Sequence, residues 1–363
     1  TGADRSELYL PLLQNKTIAM VTNQTGLLQD KTFLVDFLVK NNIKIKTIFA
    51  PEHGFRGDAD AGEHVKNGVD TKTGISIISL YGDNKKPKAE QLKGIDLVLF
   101  DIQDVGVRFY TYISTLTYVM EAAAENNVEV LVLDRPNPQD GFIDGPILKE
   151  QWKSFIGMHE IPVIYGLTIG EYGKMVNGEK WLKNGVQAKY TLIPMQNYHK
   201  KQRFGVSDKP SPNLPNDKAI NLYPSLCFFE GTQVSVGRGT DLPFQIYGSP
   251  WTKNLPYQFT PKPNFGAKDP FLNGQLCYGE NLSGKNLELR ELNISWLLNA
   301  YKNYKNPAQD FFLKNLFFDM LAGSDELRKQ IIAGKSASEI KNSWKKDLEK
   351  FQKIRAKYVM YED

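Results

Sequence analysis

The sequence of 363 residues has few cysteines and no long apolar run. Cys227 and Cys277 are its only cysteines, which excludes a disulfide framework and a cysteine-rich metal site. The two thiols could pair with each other or lie apart as small buried residues. No apolar stretch approaches the roughly 20 residues of a transmembrane helix, so we expect no integral membrane segment.

The sequence also has little excess charge of either sign, because 45 basic and 41 acidic residues leave a net charge of only +4. The lysines are dispersed along the chain, which argues against a nucleic-acid partner. A GxGxxG motif is missing after the first apolar run, and no GxSxG motif occurs. The sequence therefore predicts neither a nicotinamide cofactor nor a serine hydrolase, and we expect no cofactor.

The chain starts at Thr1 and not at a methionine. This start is typical of a chain that has lost an upstream segment, either an export signal or part of a longer sequence. The start alone leaves these two explanations open.

Apolar runs alternate with helical patterns through the first half of the chain. Strands are predicted at 16–22, 44–50, 75–81, 95–100, 128–133 and 190–194, and helices at 33–39, 115–125 and 168–176. This order predicts an α/β fold with a Rossmann-like, mostly parallel sheet and right-handed crossovers. A Pro-, Asn- and Ser-rich stretch at 207–217 then separates a domain at 1–206 from a smaller one at 207–363.

Polar side chains cluster where three of these strands end. Ligands of parallel sheets bind beyond the carboxyl ends of the strands, so these residues are predicted to share one edge. They are Glu52, His53 and Arg56 after the second strand; Asp101, Asp104, Arg108, Tyr110 and Tyr112 after the fourth; and Asp134, Arg135 and Asn137 after the fifth.

The loop at 51–64, PEHGFRGDADAGEH, is the most unusual of these segments. Its two histidines and its carboxylates, Glu63 among them, could form a metal loop, although the spacing matches neither an EF-hand nor HExxH. A glutamate at a sheet edge could instead protonate a glycosidic oxygen. The third interpretation is a solvated acidic loop.

The other strand-end candidates also suggest functional roles, and for the two aspartates a structural role is the alternative. Asp101 and Asp104 could be catalytic or could cap the following helix. Arg108 has the rigid fork that clamps a carboxylate, and Asn137, held extended by Pro138, could donate to a sugar or an N-acetyl group. In the second half, Arg238 and Asp241 lie in a glycine-containing segment that is only weak evidence for phosphate binding.

Five segments together resemble the bacterial DUF1343 family, whose characterised members are exo-β-N-acetylmuramidases called NamZ. These segments are PEHGFRGDADAGE, DIQDVGVRFYTYISTL, DRPNPQDG, PSPNLPN and FEGTQVSVGRGTDLPFQIYGSPW. The resemblance implies a second domain that closes a cleft over the first. It also implies hydrolysis of the β-1,4 bond that joins N-acetylmuramic acid (MurNAc) to N-acetylglucosamine (GlcNAc), at the non-reducing end of peptidoglycan fragments. Since members of the family are usually exported, the resemblance further implies an exported protein, periplasmic or extracellular, with lipid anchoring before processing as one form of it.

The resemblance places the family's proposed catalytic glutamate at Glu52. The second catalytic group is predicted among Asp101, Asp104, Glu63, Asp241 and the acetamide of the substrate, with Tyr110 or Tyr112 assisting. Arg56, Arg108 and Arg238 are candidates for the lactyl carboxylate of MurNAc. The residues predicted to bind the substrate are His53, Arg56, Glu63, Arg108, Asp134, Arg135, Asn137, Arg238 and Asp241. No residue is predicted to bind a metal ion. A non-catalytic sugar-binding protein, a metal-dependent hydrolase and a nucleotide-using enzyme are the alternatives.

Overall fold

A mostly parallel sheet forms the centre of the first half of the molecule in the computed structural model. The structure describes residues 1–52, 55, 67–202, 204–206, 208–285 and 287–362. In these residues the sheet has seven strands in the order β3-β4-β2-β1-β5-β6-β7. All neighbouring strands are parallel except β3 and β4, which are antiparallel. The predicted α/β class is confirmed.

The strands of this sheet are β1 Thr17–Thr22, β2 Lys44–Ala50, β3 Gly68–Val69, β4 Ser76–Ser79, β5 Leu97–Asp101, β6 Glu129–Leu133 and β7 Lys189–Ile193. Every residue of β5 is buried, as expected for a strand covered on both faces. Because β2, β1, β5 and β6 are adjacent and parallel, their carboxyl ends meet at one edge. That edge carries the candidate functional site.

Helices cover the two faces of this sheet. They are α1 Ser6–Leu13, α2 Leu34–Lys40, α3 Ala89–Leu92, α4 Tyr112–Glu125 and α5 Ile169–Gly178. The start of α5 is set by a capping box, in which Thr168 accepts from the Glu171 amide and the Glu171 carboxylate accepts from the Thr168 amide. Short 3-10 helices are Gly2–Asp4, Glu150–Trp152, Lys183–Gly185 and Cys227–Gly231.

The second half contains a smaller antiparallel sheet in the order β8-β10-β9. Its strands are β8 Ile246–Ser249, β9 Tyr257–Phe259 and β10 Cys277–Asn281, and its helices are α6 Asp217–Leu226, α7 Ser295–Asn303, α8 Phe317–Ala322, α9 Glu326–Ile332 and α10 Ala337–Arg355. Buried side chains from both halves form one continuous apolar cluster. The two halves therefore share a core, and this fixes the walls of the space between them.

A membrane-crossing helix is not found in the part of the chain that the structure describes.

Candidate active site

A cleft of about 800 Å³ opens between the carboxyl edge of the large sheet and the second half of the chain. Both halves contribute to its lining. The first half supplies Glu52, Tyr81, Phe109, Tyr110, Thr111, Phe155 and Ile156, and the second half supplies mainly Tyr223, Cys227, Glu230, Arg238, Phe244, 266–271, Phe317 and Leu321. A volume of this size is in the range of small-ligand sites.

Glu52 follows directly on the end of β2 and lines this cleft. The Thr111 hydroxyl donates to Glu52 Oε2 at 2.8 Å. Burial, the negative charge of Glu52 and a hydrogen bond to it raise the pKa of the Tyr81 hydroxyl. The half-buried carboxyl is therefore held by two hydroxyl side chains at the cleft surface.

An ion pair lies on the wall that the second half supplies. Arg238 Nε donates to Glu230 Oε1 at 2.7 Å, and the guanidinium lies 4.9 Å from the centre of the Phe244 ring. Within the described residues, the two terminal nitrogens of Arg238 make no hydrogen bond. This leaves them available to a carboxylate in the cleft.

Cys227 lines the same wall, with its Sγ atom 3.5 Å from Glu230 Oε2. Burial and the charge of Glu230 raise the pKa of this thiol well above its usual value. A thiol in this environment stays protonated and is a poor nucleophile. Cys227 and Cys277 are both buried and free, so they do not form a disulfide.

Asp101 and Arg135 form a buried ion pair away from the cleft. Arg135 Nε donates to Asp101 Oδ1 at 2.6 Å, and its terminal Nη2 donates to Oδ2 at 2.9 Å. Asp101 has no exposed surface, and neither residue lines the cleft. This geometry gives no support to the predicted catalytic role of Asp101 or to the predicted substrate contact of Arg135.

Replacement of Arg135 by Met is expected to lower the free energy of unfolding by about 3–5 kcal/mol, because it leaves the Asp101 carboxylate buried without a cation. Urea denaturation measures the loss. Lys329→Met is the control, since Lys329 and Asp325 form an exposed pair worth about 0.5 kcal/mol. A loss no larger than that of the control would contradict the structural role of the pair.

Asp104 is also buried, beneath the aromatic residues of the edge. Its Oδ2 accepts from the Tyr165 hydroxyl at 2.6 Å and from the Gly106 amide at 2.7 Å. Burial raises the pKa of Asp104 to about 6, although these hydrogen bonds lower it. Asp104 does not line the cleft, so the predicted role as a catalytic group has no geometric support.

Tyr110 and Tyr112 tie the edge of the sheet to the segment that leads into the second half. Both hydroxyls donate to the carbonyl of Pro210, at 2.8 and 3.1 Å. The Tyr112 hydroxyl also accepts from Asn23 Nδ2 at 2.8 Å. Tyr110 lines the cleft with its ring and Tyr112 does not. The two hydroxyls that the sequence predicts as catalytic therefore hold the segment around Pro210 against the edge of the sheet.

Arg108 is fully buried and cannot reach a ligand in the cleft. Its terminal nitrogens donate to the carbonyls of Pro146, Ile161 and Leu321 at 2.7–2.8 Å. The prediction that Arg108 clamps a substrate carboxylate is therefore not supported. Because Leu321 belongs to α8, this side chain instead joins the second half of the chain to the first.

Three further predicted ligands lie outside the cleft lining. The Asp134 carboxylate accepts from Thr168, from the Gly170 amide and from Tyr361. The Asn137 amide donates to the carbonyl of Leu167 at 2.7 Å, and Asp241 is exposed. Substrate contacts by Asp134, Asn137 or Asp241 thus find no support in this arrangement.

His53, Arg56 and Glu63 lie outside the described residues, so their roles stay predictions. Among the residues that the structure does describe, no group of three or more His, Cys, Asp or Glu side chains is placed to hold a metal ion.

The sequence patterns give no role to three side chains of the site: Tyr81, Thr111 and Glu230. Tyr81 falls at the end of a predicted strand, and Thr111 lies between the candidate residues Tyr110 and Tyr112. Glu230 stands out in the sequence only as the start of the motif EGT, eight residues before Arg238. The position of Thr111 directly before α4, at the sheet edge, is the signal that could have identified it.

Two family models match consecutive parts of the chain. The N-terminal model of the exo-beta-N-acetylmuramidase NamZ matches residues 18–218, and the C-terminal model matches residues 221–361. The chain belongs to the NamZ family. The NamZ models meet near residue 220, and the boundary that the sequence pattern places at 206 and 207 stays a prediction.

Relatives of this NamZ family chain include a curated protein and two crystal structures. The peptidoglycan beta-N-acetylmuramidase NamZ of Bacillus subtilis (strain 168) is 40% identical over 97% of this chain and 89% of its own length. Two DUF1343 family proteins from Bacteroides fragilis NCTC 9343 cover 100% of this chain and 98% of their own, with TM-scores of 0.91 and 0.83 at 45% and 29% identity. The predicted family and its two-part fold are confirmed.

Proposed function

We propose that this chain is an exo-acting glycoside hydrolase that releases MurNAc from the non-reducing end of peptidoglycan fragments by cleaving the β-1,4 bond to GlcNAc. The observation that carries the proposal is the position of Glu52, which lines the cleft in a NamZ family chain. Its carboxyl is reachable from the cleft, whereas those of Asp101 and Asp104 are enclosed by protein partners.

Glu52 acts as the general acid in this proposal. The carboxyl donates its proton to the glycosidic oxygen as the bond to the anomeric carbon breaks, so that GlcNAc leaves as a neutral alcohol. The oxygen of a water molecule then bonds to the anomeric carbon to give MurNAc, and the proton that this water loses restores the acid. The hydrogen bond from Thr111 to Oε2 fixes the rotation of the carboxyl group, and this orients it towards the cleft. Thr111 is thus a positioning residue.

Arg238 recognises the lactyl carboxylate in this proposal. Glu230 binds Nε and holds the guanidinium plane against Phe244, while the terminal nitrogens remain for a bidentate contact. A carboxylate is the group that distinguishes MurNAc from GlcNAc. Of the three arginines that the sequence predicts as the clamp, Arg238 is the one that lines the cleft within the described residues.

The location of peptidoglycan also suggests where the protein acts. Peptidoglycan lies outside the cytoplasmic membrane, so we place the protein in the periplasm or outside the cell, free or lipid-anchored. Release of single MurNAc units from fragments suits a role in the recycling of cell-wall sugars.

Incubation with peptide-free MurNAc-GlcNAc, followed by mass detection of the products, tests this function. We expect equal amounts of free MurNAc and free GlcNAc, with the same rate after treatment with a chelator. Binding of the disaccharide without turnover would instead identify a sugar-binding protein. Loss of turnover with the chelator, restored by added metal, would identify a metal-dependent hydrolase.

The hydrogen bonds of Tyr110 and Tyr112 to Pro210 predict that removal of either hydroxyl affects stability and not catalysis. Tyr110→Phe and Tyr112→Phe should each leave kcat close to that of the unchanged protein and lower the free energy of unfolding by about 1–3 kcal/mol. Each removes a hydrogen bond to Pro210, and Tyr112→Phe also leaves the buried Asn23 Nδ2 without its acceptor. Disaccharide kinetics and urea denaturation measure the two effects. A fall in kcat of about 10²-fold or more would assign an acid–base role to the hydroxyl instead.

A further inference from the structure

A tight turn beside the cleft presents an exposed phenylalanine. Asn264 and Ala267 exchange two backbone hydrogen bonds of 3.0 and 3.2 Å, which places Phe265 and Gly266 at the tip of the turn. The φ angle of +94° at Gly266 suits this tip, and the Asn213 amide donates to the Gly266 carbonyl at 2.6 Å. Phe265 is 76% exposed although its backbone is held on both sides.

Phe271 lies farther along the same segment and lines the cleft itself. It is 45% exposed. The segment is fixed to the rest of the second half, because the Lys262 amide donates to the Gly239 carbonyl and the Gly274 amide donates to that of Pro261. Among the described residues, neither Phe265 nor Phe271 stacks on another aromatic ring.

Exposed phenylalanines on a fixed backbone, next to a cleft that also holds the charged side chains Glu52 and Arg238, mark a ligand surface. A pyranose ring carries an apolar face of C–H groups, and an aromatic ring packs against it. The MurNAc unit to be released must lie inside the cleft, between Glu52 and Arg238. The rest of the glycan must extend out of the cleft, and the segment at 262–274 offers Phe271 within the lining and Phe265 outside it.

We propose that Phe271 and Phe265 form an aromatic shelf that stacks the sugars on the reducing-end side of the cleaved bond. Phe271 contacts the GlcNAc that leaves, and Phe265 contacts a sugar farther along the glycan. The shelf rests on the proposed function, since it assumes that MurNAc occupies the cleft. Because of the shelf, the protein has a lower KM for longer glycans than for the disaccharide.

The test compares Phe271→Ala and Phe265→Ala on MurNAc-GlcNAc and on the peptide-free tetrasaccharide MurNAc-GlcNAc-MurNAc-GlcNAc. Phe271→Ala is expected to raise KM for both by about 10-fold, the effect of losing one stacked ring. Phe265→Ala is expected to raise KM for the tetrasaccharide alone by a similar factor. Leu276→Ala is the matched control, because Leu276 is also 45% exposed on this segment but does not line the cleft.

Calorimetric binding of the tetrasaccharide, measured with each protein also carrying Glu52→Gln so that the ligand is not hydrolysed, separates this proposal from the function. If no protein releases MurNAc but both phenylalanine variants bind about 10-fold more weakly than the control, the hydrolase assignment is wrong and the shelf stands. If release is normal and both variants match Leu276→Ala in KM and in affinity, the shelf is wrong and the hydrolase stands. Failure of the unchanged protein to bind the tetrasaccharide would overturn the shelf as well.

Discussion

Replacement of Glu52 by Gln is expected to lower kcat for MurNAc-GlcNAc by about 10²–10⁴-fold, the range for a general acid. Gln has nearly the same shape as Glu and can still accept the hydrogen bond from Thr111, so KM and the thermal unfolding midpoint should change little. Steady-state kinetics with mass detection of free MurNAc measure the effect.

Two further variants make the Glu52 result specific. Glu349→Gln changes an exposed glutamate on α10 and should behave as the unchanged protein. Thr111→Val removes the donor to Oε2 and should lower kcat by about 10-fold, since it disturbs the orientation of the acid and not its chemistry. An active, folded Glu52→Gln protein would contradict the assignment.

Replacement of Arg238 by Met is expected to abolish most of the preference for MurNAc over GlcNAc. A charge-assisted hydrogen bond contributes about 1.5–3 kcal/mol, so loss of the contact lowers kcat/KM for the MurNAc glycoside about 10- to 150-fold. The GlcNAc glycoside lacks the carboxylate, so its kcat/KM should change far less. The ratio of the two nitrophenyl glycosides is the measurement.

Arg290→Met is the matched control, because Arg290 is exposed and donates to the backbone carbonyl of Lys201, outside the cleft lining. Its substrate ratio should equal that of the unchanged protein. Equal loss of kcat/KM on both glycosides in Arg238→Met would show that Arg238 only supports the cleft wall together with Glu230. An unchanged ratio at unchanged activity would remove Arg238 from sugar recognition.

The strands of the large sheet could be predicted closely from apolar periodicity. The predicted strand at 44–50 coincides with β2, and the fully buried run near 95–100 became β5, shifted by one or two residues. The predicted helix at 168–176 corresponds to α5, which begins after the capping box of Thr168 and Glu171. These features depend on neighbouring residues, so the local sequence contains the information.

Helix α6 shows where the local pattern failed. The Pro- and Asn-rich stretch at 207–217 predicts a domain boundary, and no helix is predicted directly after it. In the structure, the Asn216 side chain caps a helix that begins at Asp217 and includes Pro224. Proline inside a helix removes a backbone hydrogen bond and is normally a signal against helix, so tertiary packing overrode that signal.

The polar residues at the strand ends show that prediction of the site from local sequence is limited in the same way. Shared placement at the sheet edge could be predicted from topology, but the availability of each side chain depends on distant partners. Asp101 is neutralised by Arg135 at the end of another strand, and Arg108 reaches the carbonyl of Leu321, 213 residues away. Local sequence cannot show such pairings, so it could not separate Glu52, which lines the cleft, from the buried and paired carboxylates of Asp101 and Asp104.

The leaving-group dependence of Glu52→Gln tests proton donation most directly. Loss of a proton donor slows departure of the GlcNAc hydroxyl, whereas 2,4-dinitrophenolate leaves without protonation. We predict a loss in kcat/KM of about 10²-fold or more on MurNAc-GlcNAc, against less than about 10-fold on 2,4-dinitrophenyl MurNAc. Equal losses on the two substrates would contradict the account, because they would show that Glu52 does not deliver the proton to the leaving oxygen.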